Sequence, residues 1–289
     1  MLPLENQYLR VLISAKGAEL QSIYHKELEL EYLWSADPTF WGKKSPVLFP
    51  IVGGLKDNTY QYNGTSYHMS RHGFARDMEF KVVAQSNERI SLQLKANEAS
   101  LKQYPFLFSF TITYSLEKNY LHCNYQIFNV DIKPMFFSVG AHPAFKVPLV
   151  EGTSFDDYYL LFEKNETAGQ WPLTPDGLIK SAPIPFFDTT NRIDLSKSLF
   201  YGDAIVFKDL QSNYISLVTD KSKHGLKFNY NDFPYMGIWS AKHADFVCIE
   251  PWCGIADNEN ATGDLKQKEG INLLVPGELM SRTWSVELF

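Results

Sequence analysis

The chain has 289 residues, 45% hydrophobic and 15% aromatic, with a formal net charge of −6. That is ample for a large core. Acidic and basic residues are interspersed, and no Lys/Arg run could follow a phosphate backbone, which argues against nucleic acid as a partner. The opening MLPLENQYLRVLI lacks a basic segment followed by an apolar one, and no window approaches the roughly 18 apolar residues of a membrane span. Cys123, Cys248 and Cys253 are an odd set without a CxxC pair. The expectation is a reduced cytoplasmic protein with no disulfide framework and no membrane partner.

Helical periodicity is scarce, and most of the chain reads as strands of 5–8 residues separated by Gly, Asn, Asp and Pro. Tyr8–Ser14 and Ala18–His25 pair plausibly across Gly17, and Glu31–Trp34 closes that opening sheet. Asp37–Trp41 (DPTFW) predicts one helical turn, with Asp37 as N-cap and Pro38 at the first helical position. Ser45–Val52 carries two prolines and reads as an irregular crossing, followed by a flexible turn at Gly53–Gly54. Asn63–Gly64 between Thr59–Tyr62 and Ser66–His68 is the strongest hairpin signal.

Further strands are expected at Glu79–Gln85, Arg89–Ala96, Phe106–Glu117, Tyr120–Asn129 and Met135–Gly140, with a short turn at Ser100–Gln103. The series continues with Phe155–Phe162, Ala204–Lys208, Tyr214–Thr219, Leu226–Tyr230, Tyr235–Trp239, Leu273–Val275 and Arg282–Phe289. Parallel βαβ units need crossover helices that this sequence lacks. The predicted class is all-β, a large antiparallel β-sandwich formed as one domain over residues 1–289.

One stretch combines a strand with a chemical group. In Phe246–Trp252 (FVCIEPW), four apolar residues lead to Glu250, and Pro251 is expected to end the strand there. A carboxyl against an apolar wall has its pKa raised, which suits proton transfer; a salt-bridged or capping Glu is the other reading. Two of the seven histidines stand out. His142 follows an apolar strand in SVGAHPAF, where Gly140 and Ala141 leave room for a ligand beside the imidazole. His72 lies in RHGFAR between Arg71 and Arg76. Each also reads as a hydrogen-bonded loop histidine.

There is no HExxH, no Cys/His cluster, no GxSxG and no GxGxxG or GxxxxGK[ST]. The expectation is chemistry without metal or cofactor: proton transfer between a carboxylate and an imidazole. The 21 Phe, 16 Tyr and 6 Trp are mostly core packing. Trp239 and Trp252, near Glu250 in the chain, are the candidates for the wall of a sugar pocket.

The ordered set RHGFAR (71–76), SVGAHPAF (138–145), LFYGDAIVF (199–207) and FVCIEPWCG (246–254) resembles the aldose 1-epimerase (galactose mutarotase) family, in particular its LacX-like branch. The resemblance spans nearly the whole chain. It implies a galactose mutarotase-like supersandwich and interconversion of the α and β anomers of an aldose. It also implies Glu250 as general base and His142 as general acid, with His72 and Asp203 binding substrate. The asparagine–arginine pair that family members carry before the first histidine is absent from Val52–Asn58 (VGGLKDN), and Lys56, Arg71 or Arg76 could replace that cation. The implied partner is a small sugar, or a sugar phosphate held by Arg71 and Arg76; a non-catalytic carbohydrate-binding protein is the reading from another class. His142 is expected to rest protonated beside Asp203 or Glu250.

Overall fold

The computed structural model describes residues Met1–Phe289, and almost all of its regular structure is strand. The longest strands are those with the clearest period-2 patterning. Phe108–Glu117 and Tyr120–Asn129 alternate buried and solvent-facing side chains over ten residues each and pair in register from Tyr120↔Glu117 to Asn129↔Phe108. They sit within a nine-stranded antiparallel sheet. Its edge-to-edge order is Thr190–Asp194, Tyr158–Glu166, Tyr214–Thr219, Ser222–Asn229, Leu279–Leu288, Tyr120–Asn129, Phe108–Glu117, Arg89–Lys95, Lys81–Gln85.

A smaller sheet is built around Phe246–Cys253. Tyr235–Trp239 lies on one side of that strand, with Ile205–Phe207 beyond it; Val139–Gly140 and Ala144–Lys146 share the other side. The inward faces of the two sheets interdigitate. Phe110, Ile112, Tyr125 and Trp284 from the large sheet join Ile205, Met236, Ile238, Val247 and Ile249 from the small one in a single buried apolar cluster. The opening sheet, Leu2–Glu5, Leu9–Ile13, Leu20–His25 and Leu30–Glu31, adds Leu9, Val11, Ile13 and Ile23 to the same core. Face-to-face burial of two antiparallel sheets defines a β-sandwich, as the patterning implies.

The Asn63–Gly64 hairpin is present, with both turn residues at positive φ (+50° and +80°) and Tyr62 facing Thr65. Asp37–Trp41 is one turn, closed by Trp41 N–H to the Asp37 carbonyl (2.9 Å) and by Thr39 N–H to Asp37 Oδ1 (2.9 Å). No helix is long and apolar enough to cross a membrane.

The structure departs from the sequence reading in several places. Leu2–Glu5 and Thr190–Asp194 are strands without an apolar pattern, because each is an edge strand that buries one side chain, Leu4 or Ile193. Met135–Gly140 is two strands, Met135–Phe137 pairing with Asn272–Leu274 and Val139–Gly140 pairing with the Glu250 strand. The segment expected to turn at Ser100–Gln103 begins as a short helix, Glu98–Leu101, capped reciprocally by Asn97 and Ser100.

The most consequential difference is at Pro251, which does not end its strand: pairing continues to Cys253, so Glu250 sits inside a strand rather than at its end. The physical reason is local. The polar main-chain groups of Ile249 and Pro251 face the 141–143 segment, where Pro251 C=O accepts from Ala141 N–H (3.0 Å). The ladder is already interrupted there, between Val139–Gly140 and Ala144–Lys146, so the missing proline N–H leaves no ladder bond unmade.

Candidate active site

The Glu250 strand is buried on both faces, and its alternation divides the work. Val247, Ile249 and Cys253 join the main core; Phe246, Cys248, Glu250 and Trp252 project from the other face, where two smaller apolar clusters flank the carboxylate. Gly237 pairs with Glu250 and Gly140 with Trp252. Both glycines serve one ring. A Cβ at Gly237 would lie 2.4 Å from Trp252 Cζ2, and one at Gly140 would lie 2.6 Å from Trp252 Cδ1. The space expected at Gly140 for a ligand is therefore filled by the Trp252 indole, which floors the site.

His142 comes from the interruption opposite, where the chain leaves the sheet between two short strands. Its Nε2 stands 3.3 Å from Glu250 Oε2. Trp41 stacks on the imidazole (centroids 4.9 Å apart, 26° between planes), while Trp239 and His72 present edges at 5.6 and 5.7 Å.

His72 is held by backbone geometry. It has φ of +70°, a conformation that is strained for a residue with a Cβ and that clusters at functional sites. Gly73 follows at φ +71°, packed so closely on Phe49 that a Cβ would lie 2.3 Å from the Phe49 carbonyl oxygen. His72 N–H donates to the Gly53 carbonyl (2.9 Å), and Gly53 N–H donates back to His72 Nδ1 (3.1 Å). An accepting Nδ1 puts the ring hydrogen on Nε2. Gly53 is thus not a flexible turn: it is fixed by His72 and by Ala256, 2.4 Å from where its Cβ would be.

Arg71 Nη1 is 3.6 Å from Asp203 Oδ2, and Asp203, at φ +90°, is braced by Ala204 N–H on Oδ1 (2.7 Å). Gly177 lies under the guanidinium, with 2.9 Å from its would-be Cβ to Nη1. Arg76 Nη2 donates to the Arg71 carbonyl (2.8 Å), and its Nε lies 3.7 Å from Asp77 Oδ2. Arg71, His72, Arg76, His142, Asp203, Trp239 and Glu250 all line one cavity of about 520 Å³, together with Trp41, Trp252 and Ala204.

Lys56 does not. Its Nζ donates to the Glu259 carbonyl (3.0 Å) and its N–H to Asp257 Oδ2 (3.0 Å), which directs the side chain away from the cavity. Trp41 lines it without having been singled out in the sequence, where nothing but its aromatic character marks it.

Burial dominates the electrostatics. It holds the Glu250 carboxyl well above the usual carboxylate range; Asp203 adds to this, while Arg71 and the Trp252 indole N–H, which faces the carboxylate outside hydrogen-bond geometry, pull the other way. Burial pushes His142 down to about 3, opposed by its own main chain, which lies outside hydrogen-bond geometry, and reinforced by Arg71 and Arg76. His72 falls well below the ordinary histidine range through burial first and then the neighbouring His142, Arg71 and Arg76. The expectation of a resting imidazolium beside an ionised carboxylate is corrected accordingly: no neighbour outweighs the loss of solvent. Shifted in opposite directions and 3.3 Å apart, the carboxyl keeps its proton while the imidazole is neutral, so the pair carries one proton between Oε2 and Nε2. Cys248, also buried and pushed up, completes the one group with metal-ligand spacing: single donor atoms of His142, Cys248 and Glu250 lie within 4.8 Å of one another.

An antiparallel sandwich with a carboxyl and an imidazole 3.3 Å apart beside a cavity of about 520 Å³ is compatible with an epimerase, and comparison with known proteins gives the family. The family model for aldose 1-epimerase matches residues 1–285, and the chain belongs to that family. It is 32% identical to the chromosomal LacX protein of Lactococcus lactis subsp. lactis over 99% of both chains. Among solved structures it is similar to a galactose mutarotase related enzyme from Lactobacillus acidophilus (38% identity, TM-score 0.95, 100% of this chain and 97% of that one). It is also similar to a galactose mutarotase-like protein from Lactobacillus casei (32% identity, TM-score 0.91, 100% of both).

Proposed function

We propose that this protein is a mutarotase that interconverts the α and β anomers of an aldohexose by acid–base catalysis, with Glu250 and His142 as the proton-transfer groups. The observation that carries this reading is the 3.3 Å between Glu250 Oε2 and His142 Nε2 on the floor of the cavity. Mutarotation moves protons at two oxygens, O1 and O5, bonded to the same carbon. Two groups that reach adjacent oxygens must themselves lie close together.

The shared proton fits the chemistry. The neutral state of the pair and its ion-pair state hold the same number of protons, so no exchange with solvent is needed to convert one into the other. With a sugar bound, its hydroxyl groups and Arg71 stabilise the ionised carboxylate, and the proton sits on His142. Glu250 then takes the O1 proton as His142 Nε2–H gives its proton to O5. The C1–O5 bond breaks to leave an open-chain aldehyde, C1–C2 rotates, and reclosure on the other face of C1 reverses both transfers. General acid–base help of about 100- to 10,000-fold per group is typical for such steps. In this reading His72 Nε2–H, Asp203 and Arg71, which line the cavity, bind ring hydroxyls, and Trp239 serves as an apolar wall.

A phosphorylated sugar is the second reading, since two guanidinium groups line the cavity. Each has a carboxylate within 4 Å, Asp203 for Arg71 and Asp77 for Arg76. That pairing favours a neutral sugar. Anomerisation of glucose, galactose and glucose 6-phosphate, followed by polarimetry or NMR, tests the proposal. Catalysis of a free hexose that is lost in Glu250→Gln and His142→Asn supports it. Strong preference for the phosphate shifts the assignment to the second reading, and no rate above background with any aldose points to a carbohydrate-binding protein.

A further inference from the structure

A catalytic imidazole is ordinarily oriented by a hydrogen bond from its second ring nitrogen to a carboxylate or carbonyl. His142 has none. Its Nδ1 is buried and without a hydrogen-bond partner, while Nε2 faces Glu250. His72 shows the contrast in the same cavity, with its Nδ1 held by Gly53 N–H.

What confines the His142 ring is aromatic surface on three sides. Trp41 lies nearly parallel to it at 4.9 Å, and Trp239 and His72 stand nearly perpendicular to it. Of these, Trp41 covers the face. Trp41 is itself locked: Trp239 meets it edge-on at 5.4 Å, Phe246 lies against it at 5.5 Å, and its carbonyl accepts Trp34 Nε1–H at 2.9 Å. The turn that carries it is otherwise turned outward, with Pro38, Thr39 and Phe40 all exposed.

We propose that Trp41 is the positioning residue for His142, and that its indole face replaces the orienting hydrogen bond that Nδ1 does not make. The inference rests on His142 acting as the proposed acid. The arrangement has a chemical logic. A hydrogen bond at Nδ1 favours one protonation state over the other, whereas a stacked face fixes the plane of the ring in both. An imidazole that gives a proton and takes it back in one catalytic cycle needs its direction held without such a bias.

The test compares Trp41→Phe, which keeps a flat ring, with Trp41→Leu, which keeps apolar bulk but no plane. Misdirecting a proton donor by about an ångström can lower a rate by about a hundredfold. The expected result is a fall in kcat of about tenfold to a hundredfold in Trp41→Leu with KM changed less than about threefold, and recovery of most of the rate in Trp41→Phe. Equal losses in both variants, or a rise in KM with kcat unchanged, would show that Trp41 is only a wall or a sugar platform and overturn the proposal.

A second measurement does not depend on turnover: a crystal structure of each free variant. Loss of the single His142 orientation in Trp41→Leu but not in Trp41→Phe is the expected result, and an unchanged ring in Trp41→Leu overturns the idea. If Trp41→Leu does not fold, Trp41→Met takes its place with the same outcomes. If the wild-type protein proves inactive on every aldose, the functional assignment fails while the crystallographic arm still decides whether Trp41 orients the ring.

Discussion

Two buried pairs of opposite chemical character lie in this molecule, and they are built in opposite ways. Asp257 and Lys268 meet at 2.7 Å with side chains 4% and 2% exposed. Every strong partner there is satisfied: Lys268 Nζ also donates to the Ile255 carbonyl at 2.7 Å, and Asp257 Oδ2 accepts the Lys56 N–H at 3.0 Å. The pair clamps the loop after the Glu250 strand to the loop that carries Gly53. Glu250 and His142 are as deeply placed but looser, at 3.3 Å, with His142 Nδ1 and Trp252 Nε1 left unpartnered beside a cavity of about 520 Å³. The hollow beside Asp257 and Lys268 is smaller, about 200 Å³, and lined mainly by polar loop residues. A saturated pair holds structure; a pair with hydrogen-bonding capacity left over, open to a cavity, is free to act on something else.

The contrast is sharpest if each carboxylate is removed in turn. In Glu250→Gln, kcat/KM for anomerisation is expected to fall by about 100- to 10,000-fold. Its thermal midpoint at pH 7 should match or exceed that of the wild type. Burial raises the folded-state pKa of Glu250, so its stability contribution is full below the usual carboxylate value and declines as pH rises above it; a neutral amide avoids that decline. A marked loss of stability would mean that Glu250 is a structural ion-pair member after all. In Asp257→Ala the expected loss is in stability, about 3–5 kcal/mol by denaturant unfolding, because Lys268 is left buried and uncompensated. An undiminished unfolding free energy would erase the distinction between the two pairs.

A smaller effect is expected at Arg71. Arg71→Met should raise KM for the sugar by about tenfold, in keeping with the roughly 1.5–3 kcal/mol of a charged hydrogen bond, and change kcat less. Lys56→Met should leave KM unaltered, since Lys56 points elsewhere. The subtlest test is the pH profile of kcat/KM. The His142 value is pushed down to about 3 and Glu250 lies above the usual carboxylate range, so the one-proton state of the pair spans the interval between them. The acid limb, where the base is lost, should fall toward pH 3, and the alkaline limb, where the acid is lost, should lie above the ordinary carboxylate range. No histidine inflection is expected from an unperturbed group near 6.5. An acid limb in the ordinary carboxylate range, in place of one falling toward pH 3, would show that the imidazole is solvated and the pair uncoupled.

Much of the frame was legible in the chain. Period-2 patterning marked Tyr120–Asn129, Tyr214–Thr219 and Tyr235–Trp239 with the bounds observed, because each buries a full alternating face. It missed Leu2–Glu5 and Thr190–Asp194, where a single buried side chain leaves no period to detect. The motifs around His72, His142, Asp203 and Glu250 stand out as sequence, and the chain brings all four to one cavity. Trp41 carried no such signal: its contact with His142 joins a one-turn loop to a strand interruption a hundred residues on. Gly140 misled, since a missing side chain does not say what fills the space, and Pro251 misled because its effect depends on which neighbour its main chain faces.

By itself, then, the sequence determined the sandwich, the family and the two residues, Glu250 and His142, on which the proposed chemistry rests, since these follow from local alternation and from short runs of particular residue types. The tertiary structure alone decided that Arg71 rather than Lys56 faces the cavity, that Trp252 floors it and Trp41 roofs the imidazole, and that burial outweighs every charge near His142. These outcomes depend on the distances and the solvent left between segments far apart in the chain. Coulomb attraction and desolvation are set by that separation and that exclusion of water, neither of which is written in any one stretch of residues.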